Sequence, residues 1–379
     1  PVVGKGFIER RGFEQTDSIK TFFSAVGEAT RRSVRAVLPL DLDVPSAARI
    51  VSSPQRTDYL DGIDLEHLSS SLIAPIRTIV DRGGKAWRSY IALACCDAVG
   101  GDSQPLLSWL AMPELMHVGS LIVDDVEDRS QVRRGGPAAH RLYGEPLAIN
   151  AGTLCYFLPQ LFLAQSGWPP LRQIRAYELY FEAVRAAHAG QALDLAGLAH
   201  LMPDIVARGD GAAAEARVRA VHRLKSAAPA GALARIGALS GGGDERQIEA
   251  LGTFVEHVGL AFQIVDDVLN LRGFPGELKQ RGEDLSEGKV TMPVAKAMGL
   301  LGARDRAWLW DTISAGPGDP NTLDVAIERI EACGALAACH AEAEDLVENA
   351  WSTLDPLIPS SLAKLMLRAF SWFVLERHY

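Results

Sequence analysis

Apolar residues return at helical spacing along nearly the whole chain, and β-branched runs alternating with polar residues are almost absent. Ala, Leu, Glu and Arg dominate the periodic segments, as helix propensity favours. Gly and Pro clusters punctuate them at Arg82-Gly83-Gly84, Gly100-Gly101, Gly135-Gly136-Pro137, Trp168-Pro169-Pro170, Gly241-Gly242-Gly243 and Gly316 to Pro320. The stretches between predict helices of roughly 12 to 25 residues. With 379 residues, 48% of them hydrophobic, the chain can bury a large core. The expected fold class is all-α.

Composition narrows the function. A net charge of −9 argues against a nucleic-acid binder, which would carry a basic face. No apolar run approaches the roughly 20 residues that span a bilayer, so no stable membrane insertion is expected. The N-terminal PVVGKGFIERRGFEQ lacks the apolar stretch of a secretory signal. Cys95, Cys96, Cys155, Cys333 and Cys339 have no metal-ligand spacing and read as small core residues in a reducing compartment. A cytoplasmic protein is expected.

Residues 1–55 read as an N-terminal extension. Asp17 or Ser18 is placed to cap a helix with Ile19, Phe22, Phe23, Val26 and Val34 on one face. Arg31, Arg32 and Arg35 fall largely on the other. A helix packed on the main body is the plainer reading, and a membrane-surface anchor the rarer one. The following DLDVPSAARIVSSPQ reads as a linker, which leaves residues 56–379 as the main domain.

One internal repeat is informative. Ile122-Val123-Asp124-Asp125-Val126 recurs letter for letter as Ile264-Val265-Asp266-Asp267-Val268, and each copy follows a His-Val-Gly, His117 to Gly119 and His257 to Gly259. Two apolar helical runs therefore end in the same acidic tip, which suggests two halves giving matching groups to one site. On a helix Asp124 and Asp128 are i and i+4 and lie roughly 6 Å apart. Carboxylates so crowded repel unless a cation sits among them, and oxygen donors suit a hard ion such as Mg2+. A solvated helix end is the bland alternative for one cluster; two tips, each emerging from an apolar run, weigh against it.

Metal-binding carboxylates without an apparent nucleophile suggest a phosphate ester bridged by the ions. Cations to complete such a site are present: Arg133 and Arg134 after the first tip, Lys225 with Ser226 between the tips, Lys279 and Lys289 after the second. Upstream, Gly83-Gly84-Lys85-Ala86-Trp87-Arg88 offers a Gly-rich turn with Lys85 and Arg88 at a helix start, suited to gripping phosphate oxygens. No Walker loop, nucleophile elbow or zincin motif is present.

These motifs resemble those of the trans-prenyl diphosphate synthases, and among them the geranylgeranyl diphosphate synthases, from about residue 55 onward. Asp124 to Asp128 is similar to the family's first DDxxD motif, and Asp266 to Asn270 to the second in a DDxxN form. The resemblance implies an isoprenoid synthase-type helical bundle around a central cavity, commonly a homodimer. It implies about three Mg2+ ions held by Asp124, Asp128 and Asp266, with Asp125, Asp267 and Lys225 also catalytic. Isopentenyl diphosphate would be gripped by Lys85, Arg88, His117 and Arg134. The allylic diphosphate would lie on Arg133, Lys225, Ser226, Gln263, Asn270, Lys279 and Lys289, with Gln191 and Asp194 a further polar pair near the cation. Departures are mild: Ala86-Trp87, Ser89, Lys225-Ser226 in place of Lys-Thr, and the spacing from Asn270 to Lys279.

The implied reaction joins an allylic diphosphate head-to-tail to isopentenyl diphosphate. Product length would depend on the wall beneath the first tip, where Ser120 and Gly119 are small and Met116 lies about 12 Å down the helix. An open first turn above a bulkier second points to twenty carbons, with twenty-five or more as the alternative. Other readings are a terpene cyclase on the same fold and a non-catalytic subunit of a heteromeric synthase.

Overall fold

The computed structural model describes residues 12–84, 86–273, 281–317 and 319–376, with side chains from residue 23 onward. Regular structure among these residues is helical, as expected, except for one antiparallel hairpin of β1 (Val132–Arg133) and β2 (Gly136–Pro137). By its internal contacts the chain forms two compact units, Pro1–Glu178 with Leu239–Gly241, and Leu179–Ala238 with Gly242–Tyr379.

The first unit is built from α1 (Gly12–Val37), α2 (Ala74–Asp81), α3 (Trp87–Ala98), α4 (Ala111–Glu127) and α5 (Glu145–Leu154), with shorter helical turns between them. Leu115, Val118 and Ile122 of α4 recur at three- and four-residue steps and are wholly buried. Against this face lies α5. A Cβ at Gly119 would fall 2.6 Å from Gly152 O and from Cys155 Cβ, and one at Gly152 would fall 3.0 Å from Val123 Cγ2. Both glycines are there because the helices touch backbone to backbone.

Four-residue steps also bury Val26, Thr30 and Val34 of α1, and Leu38 just beyond its end, and α1 packs on α2, α3 and α4. Ser33 Oγ donates to Ser108 O at 2.8 Å and accepts from Ala111 N at 3.1 Å, satisfying an amide at the start of α4. Arg35 and Arg77 both reach Asp81, and Arg77 Nη1 donates to Leu38 O. From Val26 onward the apolar face of α1 is thus covered within the unit. The expected linker is corrected in part: Val44–Val51 is a helix capped by Asp43 and buries Ala47, Ala48 and Ile50. Pro45 suggested a break, but proline fits the first turn of a helix, where no amide partner is required.

The second unit carries most of α6 (Pro170–Ala196), then α7 (Gly211–His222), α8 (Ala228–Ser240), α9 (Glu245–Arg272), α10 (Met292–Leu300), α11 (Ala335–Leu354) and α12 (Leu362–Leu375). Asp244 and Gln247 form a reciprocal capping box at the start of α9. The helix then buries Leu251, Phe254, Val258, Ala261 and Val265 against α11, where Phe254 meets Trp351 edge-on at 5.5 Å. Lys296 of α10 binds Glu215 of α7 at 3.0 Å and Glu342 of α11 at 2.7 Å, and Arg219 closes the cluster on Glu342 at 2.6 Å.

Length and composition let two helical stretches, Gln104–Glu127 and α9, cross a bilayer, contrary to the expectation from apolar runs alone. Helical windows tolerate a charge or two that interrupts a run. More than half of each window is buried inside the protein, as in a core helix. The five cysteines are free; all but Cys333 are buried. Gly119→Ala should destabilise the first unit by about 1–3 kcal/mol through the α4–α5 contact. Urea midpoints of the variant and the parent measure this, and equal midpoints would dismiss the contact.

Candidate active site

At the end of α4 the acidic residues part company. Asp124 is half-buried, Glu127 and Asp128 are exposed, and Asp125 is wholly buried. Arg133, carried by β1, donates from Nε to Asp125 Oδ1 at 2.8 Å and from Nη2 to the same oxygen. Its Nη2 lies 3.8 Å from Asp124. The other Asp125 oxygen is buried with no hydrogen bond among the described residues. Burial raises the Asp125 carboxyl pKa, and the Arg133 bond opposes that rise. Of the paired aspartates, the first is presented and the second faces inward to hold an arginine.

Arg134 goes the other way. The hairpin turns through Arg134 and Gly135, both left-handed at φ 50° and 74°, as a two-residue turn of this twist requires. Both Nη atoms of Arg134 donate to Glu114 Oε1 at 3.0 Å, and Nη1 also reaches Ile79 O at 3.2 Å. A Cβ on Gly84 would lie 2.8 Å from Arg134 Nη2, so the guanidinium occupies the space the Gly83–Gly84 turn leaves open. Arg88 and His117 belong to the same neighbourhood. Burial brings the Arg88 pKa down to about 10, with Glu114 opposing and Arg134 adding to the fall. Burial first, then Arg88, Arg134 and Arg133, holds the His117 imidazole well below its ordinary range. Three of the four residues expected to grip isopentenyl diphosphate thus meet; the fourth, Lys85, lies outside the described residues.

The second tip, on α9, repeats the division. Asp266 is half-buried and Asp267 is buried. Asp267 Oδ2 accepts from Met292 N at 2.8 Å and pairs with His222 Nε2 at 3.0 Å, joining α9 to α10 and α7. Burial disfavours charge on His222, but the Asp267 carboxylate more than offsets it, and the imidazole pKa is raised. Buried Asn270 accepts from Gly282 N through its carbonyl at 2.8 Å.

Immediately after His222, a π-helical turn (Arg223–Ala227) separates α7 from α8 and carries Lys225 and Ser226. Such one-residue expansions of a helix gather at functional sites. Lys225 Nζ donates to Asp194 Oδ2 at 2.7 Å. A Cβ on Gly190 of α6 would lie 2.3 Å from Lys225 N, so the turn rests on a bare helix backbone. Gln191, Ser226 and Gln263 are half-buried, and Lys289 pairs with Glu287 at 2.8 Å. Lys279 lies outside the described residues.

The expected product-length wall is altered at one position. Gly119 faces α5 and borders no open space, whereas Ser120 is half-buried with its Oγ on His117 O. Met116 is buried. Two residues escaped the motif reading, Glu114 and His222. Glu114 stands three places before His117 on the same α-helix and so lies one turn away on one face; His222 stands at the entry to the π-helical turn that carries Lys225.

A polyprenyl synthetase family model matches residues 69–330. The chain belongs to the polyprenyl synthetase family. It is 34% identical over 310 residues to a short chain isoprenyl diphosphate synthase of Methanothermobacter thermautotrophicus, covering 82% of this chain and 91% of that protein. A geranylgeranyl pyrophosphate synthetase from Pyrococcus horikoshii shares the fold with a TM-score of 0.76 at 26% identity, over 94% of this chain and 98% of that one. A polyprenyl synthase from Caulobacter crescentus, solved with calcium and isoprenyl diphosphate, superposes with a TM-score of 0.73 at 25% identity, over 96% and 98%.

The His117 environment has a sign that can be tested. Its pKa lies below the unfolded value of about 6.5, so falling pH loads a proton onto the unfolded chain that the folded one refuses. The His117 contribution should weaken stability between pH 7.5 and 5.5, against the opposite contribution of His222, whose pKa is raised; over this interval His117→Gln should therefore lose measurably less stability, or gain more, than the parent. Equal losses in urea melts at the two pH values would refute this.

Proposed function

We propose that the protein is a prenyltransferase that condenses an allylic diphosphate head-to-tail, with trans geometry, onto isopentenyl diphosphate, giving geranylgeranyl diphosphate. The observation that carries this reading is the divergence of Arg133 and Arg134. Neighbours in one hairpin, they are drawn to Asp125 and Glu114, residues eleven apart on α4 and so about 16 Å apart along its axis. That spacing suits two anion pockets, one at the acidic tip and one beside the Gly83–Gly84 turn. A cyclase acting on one diphosphate has no use for the second.

Asp124, Asp128 and Asp266 offer oxygen donors suited to Mg2+. Bound Mg2+ would supply charge neutralisation for a leaving diphosphate. Arg133, Lys225, Lys289 and Lys279 would hold that group, and Asp194 aims Lys225. Ser226, Gln191, Gln263 and Asn270 would add polar contacts, those nearest the reacting carbon stabilising the developing allylic cation. Arg88, Arg134 and Lys85 would fix isopentenyl diphosphate, with a neutral His117 donating one N–H. The double bond then attacks, and the departing diphosphate takes the proton, so no side-chain base is needed. Ser120 and Met116 remain candidate walls for product length, and the Pyrococcus relative's activity favours twenty carbons over twenty-five.

Asp124→Ala and Asp266→Ala should each lower kcat by about 100-fold or more while leaving folding intact. Product formation should need added isopentenyl diphosphate, and its sizing should give twenty carbons. A hydrocarbon made from the allylic substrate alone would identify a cyclase. We also propose a homodimer, supported by exposed Leu142, Leu147, Ile149, Phe157, Leu171 and Ile174. Sedimentation of the purified protein is expected at twice the chain mass; a monomer would exclude the assembly.

A further inference from the structure

We infer that Glu114 is a positioning residue for the isopentenyl diphosphate pocket, acting through Arg134. The inference rests on the two-pocket reading above and assigns a role to a side chain that the acidic motifs do not contain.

Glu114 is buried in the first turn of α4, a helix whose other buried residues there, Met112, Leu115 and Val118 among them, are apolar. A carboxylate in such a place needs a partner, and it has one in Arg134, both of whose terminal nitrogens converge on Oε1 at 3.0 Å. Arg134 in turn occupies a backbone conformation that residues with a Cβ rarely adopt, φ 50°. A strained residue persists where its surroundings over-determine it. Here the hairpin sets the backbone, while Glu114 and the Ile79 carbonyl set the guanidinium. The result is a cation with its plane fixed against the Gly83–Gly84 turn before any ligand arrives.

The charge balance explains why the partner is an acid. Arg88, Arg134 and His117 crowd one end of α4, and Glu114 is the carboxylate that acts on this group. Without it, two guanidiniums would repel each other in the empty pocket, and Arg134 would be free to swing to solvent. A diphosphate meets a preformed fork in its presence and has to assemble one in its absence. Glu114 touches no reacting atom; its effect belongs to binding of one substrate and not to the chemical step.

The experiment is a double-mutant cycle on the full-length protein with KM measured separately for the two substrates. Glu114→Gln should raise KM for isopentenyl diphosphate about tenfold, with allylic KM and kcat changed less than twofold. In an Arg134→Gln background the same change should have less than a twofold effect, because the group it positions is gone. Should Glu114→Gln fail to fold, Glu114→Asp, which keeps the charge but shortens its reach, serves the same readout with a smaller rise expected. Independent, multiplicative effects in the cycle, or a lower KM once the negative charge is removed, would overturn the inference. If Arg134→Gln by itself leaves KM for isopentenyl diphosphate unchanged, the pocket assignment fails, and with it the reading on which the inference stands.

Discussion

An acidic helix end is tolerable only if its inner charges are answered from within, and in this protein they are answered twice. Asp125 and Asp267 are the buried members of their pairs. One is met by Arg133; the other by His222 and the Met292 amide. Removing one partner of such a buried set leaves a carboxylate with neither water nor counter-charge, which costs about 3–5 kcal/mol. The first carboxylate of each pair, Asp124 and Asp266, stays half-buried while its neighbour is taken inside. Everything attributed to the two tips depends on this division of labour between adjacent residues of the same type.

The same pairing distributes the cations. Arg133 and Arg134 leave one hairpin toward carboxylates eleven positions apart on α4, so two adjacent cations are sent to separate points along the helix. In the second unit, Lys225 is aimed by Asp194 while the turn beneath it rests on Gly190. In both units a basic residue that would hold substrate is itself held by an acid.

Fold class and tips were legible because both are written in local pattern: helical periodicity, punctuation by Gly and Pro, and a five-letter repeat that ends two apolar runs. The family match over residues 69–330 agrees with that reading. Which aspartate of each pair faces inward was not legible, since two adjacent identical side chains differ only in the helix face they occupy. Glu114 was hidden by its surroundings, because an isolated acid in AMPELMHVGSLIV reads as an interruption until Arg134 is seen beside it. Gly119 illustrates a different blindness. A missing side chain can open a cavity or admit a second helix, and only Gly152 and Cys155 at contact distance decide for the helix. Pro45 misled in the opposite sense, marking the first turn of a short helix where a linker was expected.

The π-helical turn at Arg223–Ala227 has a consequence for the phase of everything that follows it. One surplus residue in a helix advances the downstream face by about 100°. The residues of α8 are therefore set about 100° from where a regular continuation of α7 would place them. Because α8 is buried on nearly every side, with Leu233, Ala234, Ile236 and Ala238 all in the core, removal of a single residue here would expose no face but would set each of these side chains against a different neighbour in a close-packed interior. The irregularity that carries Lys225 also decides which neighbours the next helix meets.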